Sequence, residues 1–183
     1  MKDPVSKEQG RDEHSHHRGP GVTAGHLPAG PHQGKLSEAE PLHRDALEGR
    51  RRVLGNDHPD TLTSINNLAN LLSDQGKLFE AELLKRDALE GRRRILGNDH
   101  PETLSSINNL AILLIDQGKL SEAEPLCRDA LEGRRRVSGI DHPDTLTSMK
   151  NLAILLQMQG KQSEADLLFL ELRRIAVFQP SSL

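Results

Sequence analysis

Tryptophan and tyrosine are absent from this chain of 183 residues, and phenylalanine occurs only three times. A buried aromatic ring covers roughly 150–250 Å². Without them the core must be built from Leu, Ile and Ala, and modest stability per structural unit is expected. A single cysteine, Cys127, excludes an intramolecular disulfide, so nothing suggests an oxidising compartment. No apolar run approaches the ~20 residues needed to span a bilayer. The start of the chain, MKDPVSKEQGRDEHSHH, has no apolar stretch of the secretory kind. A cytoplasmic protein is the expectation. Charge is nearly balanced, with 24 Lys+Arg against 27 Asp+Glu. That argues against a dedicated nucleic-acid or membrane surface. Glycine-rich phosphate loops, zinc-ligand spacings and nucleophile motifs are missing too. No enzyme activity, cofactor or metal is expected.

What the chain does have is a repeat. The 42-residue segment from Gly34 to Gln75 returns from Gly76 with eight of 42 positions changed, returns again from Gly118, and starts a decayed copy at Gly160. A period of this size marks a solenoid, whose units bury their apolar faces only by stacking on neighbours. Residues 1–33 are rich in Gly, Pro, His and charge and read as a disordered leader. Residues 34–55 read as an orphan second helix of a partial repeat, 56–178 as three full repeats, and 179–183 as a tail.

Each repeat holds two legible helices. The first opens at His58-Pro59-Asp60-Thr61. Proline is tolerated at the first helical position, and the acid suits the helix dipole. Leu62, Ile65, Leu68, Ala69 and Leu72 then mark one face, and Gly76 is the expected stop. The second helix is expected to start near residue 37, with capping-box spacing at Ser37/Glu40 and Ser121/Glu124. Four acid-to-base pairs at i, i+4 are expected along it: Glu82–Arg86, Glu124–Arg128, Glu90–Arg94 and Glu132–Arg136. The arginine triplets at 50–52, 92–94 and 134–136 read as solvated helix ends. Gly49, Gly91 and Gly133 sit inside the second helices, where a neighbouring helix is expected to approach closely. No strand pattern occurs.

Small residues recur at Ala69, Ala81 and Ala88, again at Ala111, Ala123 and Ala130, and at Ala153 and Ala165. With the phrases Leu54-Gly55-Asn56-Asp57-His58-Pro59-Asp60-Thr61 and Ile65-Asn66-Asn67-Leu68-Ala69, this spacing resembles the tetratricopeptide repeat, in the 42-residue variety of kinesin light chains. The resemblance covers residues 34–178. It implies an all-α tetratricopeptide-repeat fold: a right-handed superhelical solenoid of antiparallel helix pairs. It implies a protein-interaction module that binds an extended peptide of a partner, with microtubule-motor cargo or scaffold components as the partner class. The large aromatic positions of the family hold Ile65, Leu72, Leu78 and Lys85 instead. The heptad coiled coil by which kinesin light chains hold the heavy chain does not precede the repeats. A short relative or a truncated repeat product therefore fits better than a complete motor subunit.

The fold implied by the resemblance puts the first helix of each pair on the concave side. Thr63, Asn66, Asn67 and Asn70, then Ser105, Asn108, Asn109 and Ile112, then Thr147, Lys150, Asn151 and Ile154 would face the groove. Asparagine offers donors and an acceptor, so a row of them can satisfy a peptide backbone without selecting its side chains. Asn67, Asn109 and Asn151 match the family's cargo-contacting asparagine. The competing reading is that one asparagine of each pair bridges helices. A lysine-rich carboxylate clamp is not expected, since Lys150 alone is basic among these positions. His58, His100 and His142 read as helix-start residues rather than metal ligands. Cys127 shares its repeat position with His43, Lys85 and Phe169 and is not expected to be a nucleophile. At the far end, Leu168, Leu172 and Ile175 are expected to pack inward and Phe169 and Phe178 to be exposed. The alternative function is a structural self-assembly module, or a truncated repeat product, that associates through its uncapped ends, with weak self-association expected through the C-terminal helix.

Overall fold

A computed structural model describes residues 31–178, with side chains from Lys35 to Val177. The leader up to residue 30, its histidines, the 179–183 tail and the Phe178 side chain lie outside the described residues. Among the described residues seven helices follow one another: α1 Pro31–Leu54, α2 Pro59–Asp74, α3 Leu78–Leu96, α4 Pro101–Asp116, α5 Leu120–Ser138, α6 Pro143–Met158 and α7 Gln162–Phe178. No strand occurs among the described residues. Each helix packs on the next in the chain, and α4 also touches α6, so the first helices of successive pairs lie side by side.

The starts of α2, α4 and α6 are set by one device. His58, His100 and His142 are the N-caps, and each Nδ1 accepts from the backbone N–H two residues on, at 3.2, 3.2 and 3.1 Å. This meets one of the unpaired donors of the first turn. Proline follows at the first helical position of all three. The stops lie at Gly76, Gly118 and Gly160, whose φ values of +74 to +76° suit a residue without Cβ. The capping box expected at Ser121 does not form. The N-cap of α5 is Lys119, with no side-chain capping bond, and Ser121 lies inside the helix. Glu124 is engaged elsewhere, by Arg128 and Lys161. Ser37 likewise lies inside α1, which opens at Pro31 and runs through the Gln-Gly-Lys stretch that forms the turn in later copies.

The alanines do what small residues at close contacts must. Ala69, Ala81, Ala111, Ala123, Ala130, Ala153 and Ala165 are all 0% exposed. Two apolar clusters result, one across α1–α3 closed by Leu113 and one across α3–α7. Gly91 and Gly133 mark the tightest approaches. A Cβ there would stand 2.5 Å from Leu62 Cδ2 and 2.3 Å from Leu104 Cδ2. At Gly49 nothing lies within 4 Å.

Successive pairs are stapled by bonds in a constant register. Gln75, Gln117 and Gln159 donate through Nε2 to the carbonyls of Leu36, Leu78 and Leu120. Lys77, Lys119 and Lys161 reach back to Glu40, Glu82 and Glu124 at 2.6–2.7 Å. Arg44, Arg86 and Arg128 reach forward to Glu80, Glu122 and Glu164. The i, i+4 pairs Glu82–Arg86 and Glu124–Arg128 form as expected. Arg94 and Arg136 instead turn to Asp57 and Asp99 of the preceding loops.

Reading the arginine triplets as solvated ends needs correction. Their first members in the second and third copies, Arg92 and Arg134, are only 8% and 7% exposed. Arg92 Nη1 donates to Ser106 Oγ at 2.6 Å and Arg134 Nη1 to Ser148 Oγ at 2.8 Å. Phe169 is also corrected: it packs on the apolar cluster beside Leu168, Leu172 and Ile175. Leu167, Leu170 and Val177 are the exposed apolar residues of α7.

Candidate peptide groove

The face shared by α2, α4 and α6 carries the predicted row, with different exposure in each copy. Asn67 and Asn70 on α2 are exposed and Asn66 is half-buried. On α4, Asn109 is half-buried, while Asn108, expected on the groove wall, is only 6% exposed. On α6, Lys150 is exposed and Asn151 half-buried. Asn151 Nδ2 donates to Asn108 Oδ1 at 3.0 Å, tying α6 to α4. Asn108 and Asn151 thus bridge helices, while Asn67 faces solvent. The bond uses one donor and one acceptor, and an amide pair has further capacity on both sides.

Between the C-terminal halves of α2 and α4 lies a cleft of about 170 Å³, lined by Asn70, Asp74, Lys85, Asn109, Ile112 and Asp116 among others. Lys85 was not in the predicted row, because it belongs to α3. It is 6% exposed, and its Nζ donates to Asn70 Oδ1 at 2.6 Å. Burial lowers its pKa and the nearby Asp74 carboxylate opposes that shift. The signal that could have found it is its column. His43, Lys85, Cys127 and Phe169 differ in every copy of a chain that otherwise repeats whole phrases. Cys127 in that column is buried, and burial, with the Glu124 charge adding, pushes its thiol up to about 11. Such a thiol is a poor nucleophile.

From copy to copy the groove changes character. Asn70 gives way to Ile112 and Ile154, which are 38% and 39% exposed, and Met158 beyond them is 53% exposed. One end is lined by amides and a buried lysine, the other by aliphatic side chains. Among the described residues no group of three or more His, Cys, Asp or Glu could hold a metal ion. No described helix is long and apolar enough to cross a membrane.

Stacked helix pairs joined at alanine contacts define a helical solenoid of the interaction-module class. Tetratricopeptide repeat profiles match residues 32–60, 61–102 and 102–176. The chain belongs to the tetratricopeptide repeat family, and its repeats are of the kinesin light chain-like type. It is similar to the crystal structure of nearly identical TPR-like repeats from a Podosopora anserina protein assigned as a kinesin light chain. That similarity has a TM-score of 0.72 at 27% identity, over 81% of this chain and 71% of that one. A variant of the same protein gives a TM-score of 0.70 at 27% identity, over 78% and 67%. BtubC (BKLC) from P. vanneervenii superimposes with a TM-score of 0.74 at 23% identity, over 82% of this chain and 61% of that one. That last likeness speaks to the fold alone. Comparison with curated proteins returns no match.

Proposed function

We propose that the protein binds an extended peptide segment of a partner protein along the face of α2, α4 and α6. The observation that carries this reading is the cleft where Asn70, Asn109, Lys85 and Ile112 converge from three helices. Exposed amides supply main-chain hydrogen bonds, each contributing ~0.5–1.5 kcal/mol net. Ile112 and Ile154 supply apolar contact for aliphatic side chains further along. By family likeness the partner class is cargo or scaffold components of the microtubule system. The test is calorimetric binding of candidate partner peptides to the protein and to a variant with Asn67 and Asn109 changed to alanine. Loss of binding with unchanged melting supports the groove; equal affinity removes it.

A second reading, self-association through α7, draws on one observation. Leu170 and Val177 occupy the repeat positions of Arg128 and Arg135, which on α5 reach forward to Glu164 and Glu171. They are 56% and 81% exposed. Sedimentation at rising concentration tests it: a monomer throughout rejects this reading.

A further inference from the structure

One face of α1 lacks the cover that its counterparts have. Ala88 and Ala130 are 1% and 0% exposed beneath the first helices of their own pairs, whereas Ala46 is exposed. Leu84 and Leu126 pack against the apolar clusters, whereas Leu42 is 70% exposed. Gly91 and Gly133 receive Leu62 and Leu104, whereas Gly49 meets nothing within 4 Å. Leu42, Ala46, Gly49 and Val53 follow one another at helical spacing and form a single stripe. Beside it, Leu42, His43, Ala46 and Arg50 of α1, with Ser64 and Asn67 of α2, line a cleft of about 240 Å³. Two internal interfaces thus show what such a stripe is shaped to hold: a helix that sets a leucine into the glycine notch.

The chain itself is badly suited to supply that helix. One repeat upstream of α2, the register carries Gly19, Pro20, Gly21, Gly25, Pro28 and Gly30, a composition that opposes an α-helix. Pro20 stands where Leu62 and Leu104 would be matched.

We propose that the cleft between α1 and α2 is a docking site for an amphipathic helix of a partner protein, one that presents the chemistry of this chain's own first helices. The required pattern is leucine followed four residues later by asparagine, as in Leu62/Asn66 and Leu104/Asn108. The leucine enters the notch at Gly49. The asparagine accepts from Asn67, as Asn108 accepts from Asn151 in the next register but one. The surface is separate from the concave peptide row, although Asn67 borders both.

The probe is a synthetic peptide with the sequence of residues 99–117, titrated into the full chain with fluorescence anisotropy as readout. Saturable binding is expected, weakened about tenfold or more when the peptide's Leu104 equivalent is alanine. Gly49→Leu on the protein is expected to abolish binding without lowering the melting temperature, because its Cβ enters open space. Absence of binding, or equal binding by Gly49→Leu, overturns the proposal. A concentration-dependent dimer lost in Gly49→Leu would make the occupant a second copy and overturn the assignment to a partner. A large gain in peptide affinity on removing residues 1–30 would mean the leader fills the cleft, which also overturns it. Groove variants such as Asn70→Ala should leave this binding unchanged, so failure here is distinguishable from failure of the peptide reading.

Discussion

Arg92 and Ser106 join two helix pairs through a buried bond: the guanidinium Nη1 donates to the hydroxyl at 2.6 Å, and that hydroxyl donates in turn to the Glu102 carbonyl at 3.0 Å. A charged hydrogen bond of this kind contributes ~1.5–3 kcal/mol. Replacing Arg92 with Gln should therefore lower stability by about 1–3 kcal/mol. Arg94→Gln should change melting little, since its partner Asp57 is exposed and the pair is solvated. Urea denaturation of the two variants checks the contrast, and equal midpoints would contradict it.

Glycine-to-alanine changes should differ in sign along the array. Gly49→Ala gains helix propensity in open space and should raise stability by up to ~1 kcal/mol. Gly133→Ala gains the same propensity but pushes its Cβ into Leu104, which is only 2% exposed and cannot swing into solvent freely. Overpacking there costs ~1–3 kcal/mol, so the net effect should be a loss. Thermal melts of both variants give the comparison; a stabilised Gly133→Ala would show that the notch is looser than its geometry.

Acid should weaken the staples. Hydrogen bonds from Lys161 and then Arg128 hold the Glu124 carboxyl down to about 2, against a smaller opposing effect of burial. Glu40 shifts the same way, through Lys77 first. At Glu82 burial pushes upward, and Lys119 with Arg86 overcomes it. Each folded value lies below its unfolded one, so the stabilisation is complete above the usual carboxylate range and is lost as pH falls toward the folded value. The melting temperature should drop between about pH 4.5 and pH 2. In Glu124→Gln that drop should be smaller. An identical pH profile for the variant would remove Glu124 as a contributor.

The asparagines should separate into two classes. Asn67→Ala should leave melting unchanged within ~0.5 kcal/mol, as exposed substitutions do, whereas Asn70→Ala removes the acceptor of the buried Lys85 Nζ and should cost about 1–3 kcal/mol. Asn151→Ala removes the bond to Asn108, leaves a buried amide oxygen without that donor, and should cost about 1–2 kcal/mol. Denaturant midpoints of the single variants decide it, and a silent Asn151→Ala would mean that the bridge is replaced by water.

Much of the fold was legible because its signals are local and recur. The histidine-proline starts, the glycine stops and the alanine contacts each appear three times in the sequence, and the structure uses them as helix caps, turns and close approaches. The groove was legible only in part. Asn66 and Asn108 hold the same repeat position, yet one is half-buried and the other buried, because Asn108 sits beneath Asn151 while exposure depends on which helix lies alongside. Lys85 escaped notice because it reaches the cleft from α3, outside the helices expected to form it. The arginine triplets misled for a related reason. Position in the last turn of a helix suggests solvent, but the partners of Arg92 and Arg134 lie fourteen residues ahead in the sequence, on a different helix. Both ends of the bond recur in three copies, as Arg50/Ser64, Arg92/Ser106 and Arg134/Ser148, and that recurrence is the sequence trace it leaves.

The constant register of the staples also bears on how such a protein can change over generations. A glutamine, a lysine and an arginine find the same kind of partner at the same offset at each junction. Excising a whole copy, or inserting one, joins a donor to an acceptor it already fits. An in-frame slip during replication of so repetitive a gene would therefore lengthen or shorten the array while leaving each remaining junction chemically familiar. Loss or gain of an entire unit leaves the seam contacts matched, so copy number is a dimension along which this architecture can vary without new junction chemistry.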